Sequence, residues 1–264
     1  MATPVSQSDL LDPARARALQ VALRLAPCLV TGDDLPVFFH HLYFWEPQPA
    51  ERLGRDGHPK TGGLIPDLGL PRRMWAGGKI TFHHALKVGR SAERRSICEA
   101  SDVKSGRTGP LGLVTLRHDF YQDGALCVTE RQSLIYREDP RPDAPKPETT
   151  PARHDEEHIE RFNFDTTLLF RYSALTFNGH RIHYDLDYAR DVEGYAGLVV
   201  HGPLLAQLLM LMAERRLGKL TAFEFRATSA LMHWETAELC QQGPTFWVRG
   251  PDGRQCMTAT AHIC

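Results

Sequence analysis

One short segment of the chain is predicted to form a helix that is apolar on every side. Between Leu204 and Ala213 only Gln207 is polar. Pro203 suits the first position of a helix and Gly218 suits its carboxyl-terminal cap, so the helix would run for about four turns. A helix this short cannot span a membrane, and its uniformly apolar surface has to be buried by other elements on all sides.

The segments around this helix predict an antiparallel sheet. Two Asp-Gly turns, at Asp123-Gly124 and Asp252-Gly253, each lie between two strand-like runs and are nearly half the chain apart. This repetition indicates an internal duplication. A short apolar helix enclosed by a curved antiparallel sheet is the hot-dog arrangement, and two such units in tandem form a double hot dog, an α+β fold. The alternative is a generic α+β protein whose buried helix packs between a sheet and another layer.

The first half is predicted to open with a helix from about Ser8 to Arg24, capped by Ser8 or Asp9. Residues 45–73 are rich in Pro and Gly and predict a loop. The segment from Tyr172 to Asp185 also predicts a loop, and a polar one. The candidate strands of the two halves are residues 79–86, 94–103, 111–120, 125–137, 222–232, 245–249 and 254–263.

A boundary between two halves is predicted where prolines and charged residues replace apolar ones. Between Glu138 and His158 there are five prolines and almost no apolar side chain, which is typical of an extended, exposed linker. The chain therefore divides into residues 1–138, a linker at 139–157, and residues 158–264.

The overall composition excludes several classes of protein. A net charge of −1 and an isoelectric point of about 6.9 give no broad surface for nucleic acid. The six cysteines form no C-x-x-C pair, so neither a zinc knuckle nor a redox motif is present. Free thiols, the absence of an apolar run of about 18 residues and an amino-terminal segment without a signal-peptide core predict a cytoplasmic protein. Phosphate-loop, dinucleotide and serine-hydrolase motifs are also absent.

His183 is the residue best suited to acid–base chemistry. It lies in a dense polar run with Asn178 and His180, and a neutral imidazole accepts a proton near neutral pH. The alternative is that His183 merely satisfies backbone groups of a polar loop. The H-x-x-H spacing of His180 and His183, with His201 nearby, could suggest metal ligands, but no third ligand and acid follow at a recognisable spacing. We therefore predict no metal.

Gly202 precedes the predicted apolar helix. Backbone N–H groups at a helix start lack intrahelical partners, and the helix dipole is positive there. A carbonyl aimed at this point would be polarised as negative charge develops on its oxygen. The alternative is that Gly202 only permits the tight turn into the helix.

A third group of candidates precedes the first predicted strand. Arg72, Arg73 and Trp75 lie next to the pair Gly77-Gly78. An arginine there could bind a carboxylate or phosphate, and the indole could cover apolar atoms of a ligand. The alternative is an ordinary turn with a half-buried tryptophan.

Several of these motifs resemble one known superfamily. Residues 176–185, 188–189, 193–195 and 197–203 are similar to the MaoC-like, R-specific enoyl-CoA hydratases, and residues 73–78, 104–107 and 129–130 are similar to the branch with a FAS1-like dehydratase half. That branch includes type 2 hydroxyacyl-thioester dehydratases and the hydratases of itaconyl-CoA and mesaconyl-C4-CoA. The resemblance implies a double hot dog, dimeric or larger, without metal or redox cofactor. It also implies a catalytic second half and a non-catalytic first half that widens the acyl groove.

The resemblance also implies roles for individual residues. His183 matches the catalytic histidine, while Asn178 stands where the superfamily has an aspartate, and an amide cannot act as a base. His183 would deprotonate a water held with Asn178, and the Gly202 N–H would stabilise the enolate of a 2-enoyl-CoA. Catalytic residues would thus be His183, Asn178 and Gly202. Substrate-binding residues would be Arg72, Arg73, Trp75, Arg181 and His201.

The predicted partner is an acyl-CoA thioester, whose CoA belongs to the substrate; no nucleic acid or membrane is expected. Arg72, Arg73 or Arg181 would suit the free carboxylate of a small methyl-branched dicarboxylic ester such as itaconyl-CoA or mesaconyl-C4-CoA, which would give citramalyl-CoA. A linear 3-hydroxyacyl thioester of fatty acid metabolism is the second substrate class. A binding protein without turnover remains open because of Asn178. A thioesterase would need a carboxylate that Asn178 does not offer.

Overall fold

The computed structural model describes residues 4–106, 109–139 and 148–263, and within them ten strands and three α-helices are present. The helices are α1 (Pro13–Ala22), α2 (Thr166–Thr176) and α3 (Gly202–Leu217). The strands are β1 (Val5–Leu10), β2 (Arg72–Phe82), β3 (Ser91–Gly106), β4 (Gly109–Gln122), β5 (Ala125–Arg137), β6 (His158–Asn163), β7 (Leu220–Ala227), β8 (Thr236–Gln242), β9 (Thr245–Arg249) and β10 (Gln255–Ile263).

The ten strands form one antiparallel sheet in the order β1-β3-β4-β5-β2-β7-β10-β9-β8-β6. Read outward from the centre, β2-β5-β4-β3-β1 and β7-β10-β9-β8-β6 are the same arrangement. The predicted duplication is therefore visible in the topology. Both predicted Asp-Gly turns connect adjacent strands, β4 to β5 and β9 to β10, and Asp123 and Gly124 both have positive φ, as a two-residue hairpin requires.

The two halves of the sheet meet at a pair of glycines. Gly77 on β2 pairs with Arg226 on β7, and Gly78 pairs with Phe225. A Cβ added at Gly77 would lie 2.3 Å from the carbonyl oxygen of Phe225, and one at Gly78 would lie 2.6 Å from the carbonyl oxygen of Arg131. The glycine pair thus lets β2 and β7 approach closely enough to make the sheet continuous. The run that begins at Arg72 lies in a strand, so its alternative interpretation as an ordinary turn is wrong.

Helix α3 is buried as its sequence predicts. It packs against β2, β7, β9 and β10, and Gln207, its single polar residue between Leu204 and Ala213, donates from Nε2 to the carbonyl of Val37 at 2.9 Å. Gly218 caps the helix with φ of 93°, a conformation that favours glycine. The helix begins at Gly202, one residue before the predicted start. Among the described residues, no helix has the length and apolar character that a membrane span requires.

The amino-terminal prediction of one helix from Ser8 to Arg24 is wrong at its start. Ser8 lies in β1 and pairs with Glu93, while the Asp12 side chain accepts from the N–H of Ala14 and caps a helix that runs only from Pro13 to Ala22. Other strand predictions hold with shifted ends, but β6, α2 and β8 were not predicted. The prediction of residues 222–232 as one strand is too long, because β7 ends at Ala227.

The first half differs from the second in its core. Between α1 and β2 the described chain forms only two short 3-10 turns, Phe39–Leu42 and Ala50–Arg52. Phe38, Phe39 and Phe44 fill this space and are almost fully buried. Of the predicted linker, residues 140–147 lie outside the described part. Residues 148–157 contain no helix or strand, and Ala152 packs there against Trp247.

Candidate active site

The segment before His183 folds differently from the predicted loop. Tyr172 to Thr176 form the last turns of α2, which ends at Phe177 with φ of 52°. The N–H of Asn178 then donates to the carbonyl of Ser173 at 2.8 Å, and its Oδ1 accepts from the N–H of His180 at 3.0 Å. Asn178 therefore shapes the turn that leads to a short 3-10 turn at Arg181–His183.

His183 is held as a neutral imidazole with one free nitrogen. Its Nδ1–H donates to the carbonyl of Val199 at 2.7 Å, so Nε2 carries the lone pair. The side chain is 5% exposed, and Nε2 keeps contact with solvent and has no partner among the described residues. Burial lowers the pKa of His183 to about 3, against a smaller opposing effect of the Val199 hydrogen bond. At neutral pH, Nε2 is a hydrogen-bond acceptor and a potential general base.

The His201 ring packs against the ring of His183. The two rings stack with centroids 3.6 Å apart and an angle of 20°, and His201 Nε2 lies 2.8 Å from Ser173 Oγ, in hydrogen-bonding contact. His201 has no exposed surface. Its predicted contact with substrate stays a prediction, for which the structure offers no exposed surface of His201, and its position suits orientation of the His183 ring.

Gly202 and Trp75 meet at the start of α3. A Cβ added at Gly202 would lie 2.8 Å from Cε3 of the Trp75 ring, so the absence of a side chain lets the indole lie directly on the helix start. Trp75 in turn stacks on Phe225 with centroids 4.8 Å apart. No side chain in the described residues caps this helix start, which leaves backbone N–H groups for a ligand. The first half thus supplies one wall beside the second half's helix.

Two of the three predicted arginines are committed to other partners. Arg72 donates from Nε to Glu193 at 2.5 Å and lies over the Tyr195 ring. Arg181 donates from Nη2 to Asp185 at 2.7 Å and lies over the Tyr188 ring. Their charges are balanced locally, so the structure does not present them to a substrate carboxylate.

Arg73 differs from those two arginines. It lies two residues from Trp75 on the same strand and is half-buried, and no described residue forms a side-chain hydrogen bond or an ion pair with its guanidinium. Its positive charge helps to lower the pKa of both His58 and His180, behind the larger effect of burial. Arg73 is therefore a positive charge without an ion-pair partner, close to these histidines and to the Asp56 carboxylate.

The loop before β2 supplies two residues that the sequence did not indicate. His58 donates from Nδ1 to Asp56 Oδ2 at 2.9 Å, and the His58 and His180 rings have centroids 4.6 Å apart. The N–H of Arg181 donates to the carbonyl of Asp56 at 2.9 Å, while a Cβ at Gly57 would meet the Gly179 oxygen at 2.0 Å. The two loops are therefore in direct backbone contact. A lone Asp and His in a Pro- and Gly-rich loop have no periodicity that could have revealed this.

Two groups of side chains have ligand atoms that lie within 4.8 Å of one another, as metal sites require: His40, His41 and Glu130, and Asp56, His58 and His180. In the first group, both imidazoles donate to the fully buried Glu130 at 2.9 Å. Burial alone would raise the pKa of Glu130, but His41 and His40 hold it well below its usual range. In the second group, the charge of Arg73 opposes a cation. We assign a metal to neither, and its absence stays a prediction.

Comparison with known proteins identifies the family. The family model for hydroxyacyl-thioester dehydratase type 2 matches residues 38–233. The chain belongs to this dehydratase family. A mesaconyl-C(4)-CoA hydratase of Chloroflexus aurantiacus is 41% identical over 263 residues, which cover 96% of this chain and 93% of that protein. The resemblance found in the sequence is thus confirmed.

Solved structures of distant relatives confirm the fold of this dehydratase. A MaoC-like dehydratase from Phytophthora capsici has a TM-score of 0.74 at 12% identity, covering 99% of this chain and 95% of that one. A Mycobacterium tuberculosis protein described as a double hotdog fold has a TM-score of 0.59 at 15% identity, covering 99% and 96%. The chain is a double hot dog. The family match includes Trp75, His183 and Gly202.

Proposed function

We propose that this protein is a hydro-lyase that reversibly adds water to a 2-enoyl-CoA, and in reverse dehydrates a 3-hydroxyacyl-CoA. The observation that carries this proposal is the neutral His183, whose Nε2 is unpartnered and open, in one site with an uncapped helix start at Gly202. A base and a carbonyl-polarising group are the two parts that such a reaction needs. The family and the Chloroflexus relative support the same reaction type.

In the proposed mechanism, His183 Nε2 removes a proton from water while the oxygen adds to the β-carbon. The electron pair of the double bond moves to the thioester oxygen, which accepts from the Gly202 N–H as an enolate. The enolate then takes a proton at the α-carbon. A positioned base contributes about 10²–10⁴-fold to such a reaction, and an oxyanion donor about 10²–10³-fold.

Asn178 has a smaller proposed role. Its Oδ1 already accepts from the His180 N–H, and its amide N–H₂ is free to donate to a water. It can orient that water but cannot remove a proton, because an amide is no base at neutral pH. We expect Asn178→Ala to cost less activity than His183→Ala.

For the substrate, we propose a small methyl-branched dicarboxylic thioester of the itaconyl-CoA or mesaconyl-C4-CoA kind. Arg73 supports this choice because no described acid balances its charge in an ion pair, and the Asp56 carboxylate interacts with it only at longer range. A free carboxylate could supply that balance in a bidentate hydrogen bond. The name of the Chloroflexus relative agrees with it. A linear 3-hydroxyacyl thioester is the second candidate, supported by the family description.

The deciding experiment measures turnover of mesaconyl-C4-CoA, itaconyl-CoA and crotonyl-CoA by loss of the enoyl absorbance. With wild type active, Arg73→Gln should raise KM for the dicarboxylic thioester by about 10–100-fold, the value of a hydrogen bond to a charged group. It should change KM for crotonyl-CoA by less than about threefold. Arg226→Gln is the matched control, because Arg226 lies exposed on β7.

The possible outcomes separate the alternatives. Equal effects of Arg73→Gln on both substrates would contradict the dicarboxylic proposal and leave hydration standing. No turnover of any thioester, together with tight acyl-CoA binding, would overturn catalysis in favour of a binding protein. Release of free CoA, detected with a thiol reagent, would indicate a thioesterase instead.

Four further points remain proposals. We propose that residues 158–264 carry the base and the oxyanion donor, that residues 1–138 shape the acyl groove, and that residues 139–157 link them. We also propose a homodimer or larger oligomer, which light scattering would test. A cytoplasmic location is proposed from the free state of the described cysteines. The reaction needs no cofactor beyond the CoA of its substrate.

A further inference from the structure

The first half of the molecule contributes a carboxylate–imidazole pair to the edge of the proposed site. Asp56 is 8% exposed, accepts from His58 Nδ1–H through Oδ2 at 2.9 Å, and accepts from the His58 backbone N–H through Oδ1 at 3.1 Å. Both oxygens of the Asp56 carboxylate thus accept hydrogen bonds from the same residue, His58. This arrangement fixes the tautomer of His58 and leaves its Nε2 as an acceptor.

Four imidazoles form a row from this pair to the buried end of the site. The centroid distances are 4.6 Å from His58 to His180, 5.4 Å from His180 to His183, and 3.6 Å from His183 to His201. Within this imidazole row, His201 has no exposed surface, and Nε2 of His180 is buried without a partner among the described residues.

His58 and His183 are the two members of the row in which Nδ1 is hydrogen-bonded and Nε2 is open, whereas His180 has neither ring nitrogen fixed by a described partner. The His58 side chain is 18% exposed, and its Nε2, like that of His183, keeps contact with solvent and has no partner among the described residues. Each ring is fixed through Nδ1, one by Asp56 and the other by the Val199 carbonyl. The row therefore has two oriented, unprotonated nitrogens available to a small molecule.

We infer that His58, oriented by Asp56, is a second catalytic residue of this site and accepts a hydrogen bond from the attacking water opposite His183. This inference rests on the proposed hydration. It assigns to the first half a part of the chemistry, in addition to shaping the groove. The Asp56–His58 pair supplies the carboxylate charge that Asn178 cannot supply, one imidazole further from the water.

The proton balance of this step is simple. The water donates one hydrogen to His58 Nε2 as a hydrogen bond and loses the other as a proton to His183 Nε2, while its oxygen bonds to the β-carbon. The enolate pair then forms the bond between the α-carbon and the proton that His183 carries, so both imidazoles end neutral. No further reactant is needed.

The charged groups around the pair favour an acceptor role for His58. Asp56 raises its pKa, whereas burial and Arg73 lower it more, so the ring is neutral at pH 7. His180, the neighbouring ring, is also neutral, because burial, His58, His183 and Arg73 all lower its pKa. The positive charge of Arg73 disfavours a cation at this place and suits an anionic substrate.

The test removes Nε2 of His58 and then returns a carboxylate to the site. His58→Asn keeps a side-chain N–H for Asp56 but has no second nitrogen, and should lower kcat about 100-fold on the best of the three thioesters. Adding Asn178→Asp should recover at least about tenfold of this loss. The same change added to His183→Asn should recover nothing. His84→Asn, at an exposed position after β2, is the matched control and should retain wild-type activity.

A pH profile separates catalysis from structural support. Asp56→Asn should lower kcat and move the acidic limb of kcat/KM to lower pH, because loss of the carboxylate lowers the pKa of His58. This variant decides the matter even if His58→Asn does not fold. The inference is overturned if His58→Asn stays within about threefold of wild type, or if the limb stays in place. A wild type inactive on all three thioesters would overturn the proposed function and this inference together.

Discussion

The two halves of the sheet have the same strand order, yet they are built around different cores. In the second half, β7, β9 and β10 pack against the sixteen-residue helix α3. In the corresponding place of the first half, the described chain has a four-residue 3-10 turn, Phe39–Leu42, entered through Phe38 with φ of 67°. Both halves therefore share the sheet that specifies the fold. The start of α3, which we propose polarises the thioester carbonyl, belongs to the second half.

The first half adds a buried polar network to its aromatic core, whereas the interior of the second half is packed with apolar side chains. Glu130 is fully buried and accepts from His40, His41 and Gln132. The equivalent interior of the second half is occupied by leucine and methionine side chains of α3. The first half therefore depends on one buried network, and the second half depends on close packing.

The largest expected effect compares one buried histidine from each half. His183→Asn should lower kcat by about 10²–10⁴-fold, because it removes the base. His118→Asn should change kcat by less than about threefold, although His118 is also buried and contacts Ser96 Oγ at 2.7 Å. Steady-state rates of both variants with the best thioester check this. A comparable loss in both would mean that burial, and not position in the second half, explains the effect.

The second prediction concerns stability. Glu130→Ala should lower the free energy of unfolding by about 3–5 kcal/mol, because it leaves His40 and His41 buried without their acceptor. Activity per folded molecule should change little. Glu224→Ala on β7 is the control, since this exposed partner of Lys79 should contribute less than about 1 kcal/mol. Urea unfolding measures both, and equal losses would contradict a special role for the buried network.

The third prediction concerns pH and stability. At pH values above about 6.5, the pKa of histidine in the unfolded chain, the site histidines are neutral in both the folded and the unfolded state. Protonation then takes nothing from the free energy of unfolding. As pH falls from 6.5 towards 3, His183 binds a proton in the unfolded chain but not in the folded chain, where its pKa is about 3. The free energy of unfolding therefore decreases over this range. His180 and His201 act in the same direction because burial lowers their pKa. Each of the three contributes about 1.4 kcal/mol, so we expect a loss of about 4 kcal/mol between pH 7.5 and 5.5.

Urea unfolding at the two pH values tests that loss. His201→Asn should flatten the pH dependence, since it removes one of the buried histidines of the second half. His84→Asn, at an exposed position, should leave the slope unchanged. A slope that is unaffected by His201→Asn would place the acid sensitivity elsewhere, for example in the buried His40 and His118 of the first half.

The smallest effect is expected where the halves touch. Gly202→Ala would place a methyl group 2.8 Å from the Trp75 ring, and should lower kcat/KM by about tenfold through displacement of the helix start. Adding Trp75→Leu should recover part of this loss, because it makes room for the methyl group. A double-mutant cycle built from kcat/KM of the wild type, the two single variants and the double variant measures this coupling. A double variant with the summed losses of both singles would show that the contact does not matter.

The sequence predicts the fold better than the site. Helix α3 and the two Asp-Gly hairpins follow from local signals, an apolar run and a turn-forming dipeptide, which need no tertiary information. Ser8 was placed in a helix because its pairing with Glu93 in β3 is a non-local contact. The prediction of His183 and Gly202 as catalytic residues rests on the motif shared with the MaoC-like hydratases. Arg72 was assigned to substrate because nothing in the sequence shows that Glu193, far along the chain, binds it. Asp56 and His58 were missed for the same reason.

The irregularity in β2 between Trp75 and Gly77 has a consequence for how this site can change. The β2–β5 pairing shifts there by one residue, and side chains alternate between the faces of a strand. The shift therefore decides which face Arg73 and Trp75 occupy relative to the pairs that join the halves. Loss of one residue at this point would exchange the faces of both side chains and leave His183 untouched. A length change in one half would thus move the side chains proposed to select the substrate, while the proposed base in the other half stays in place.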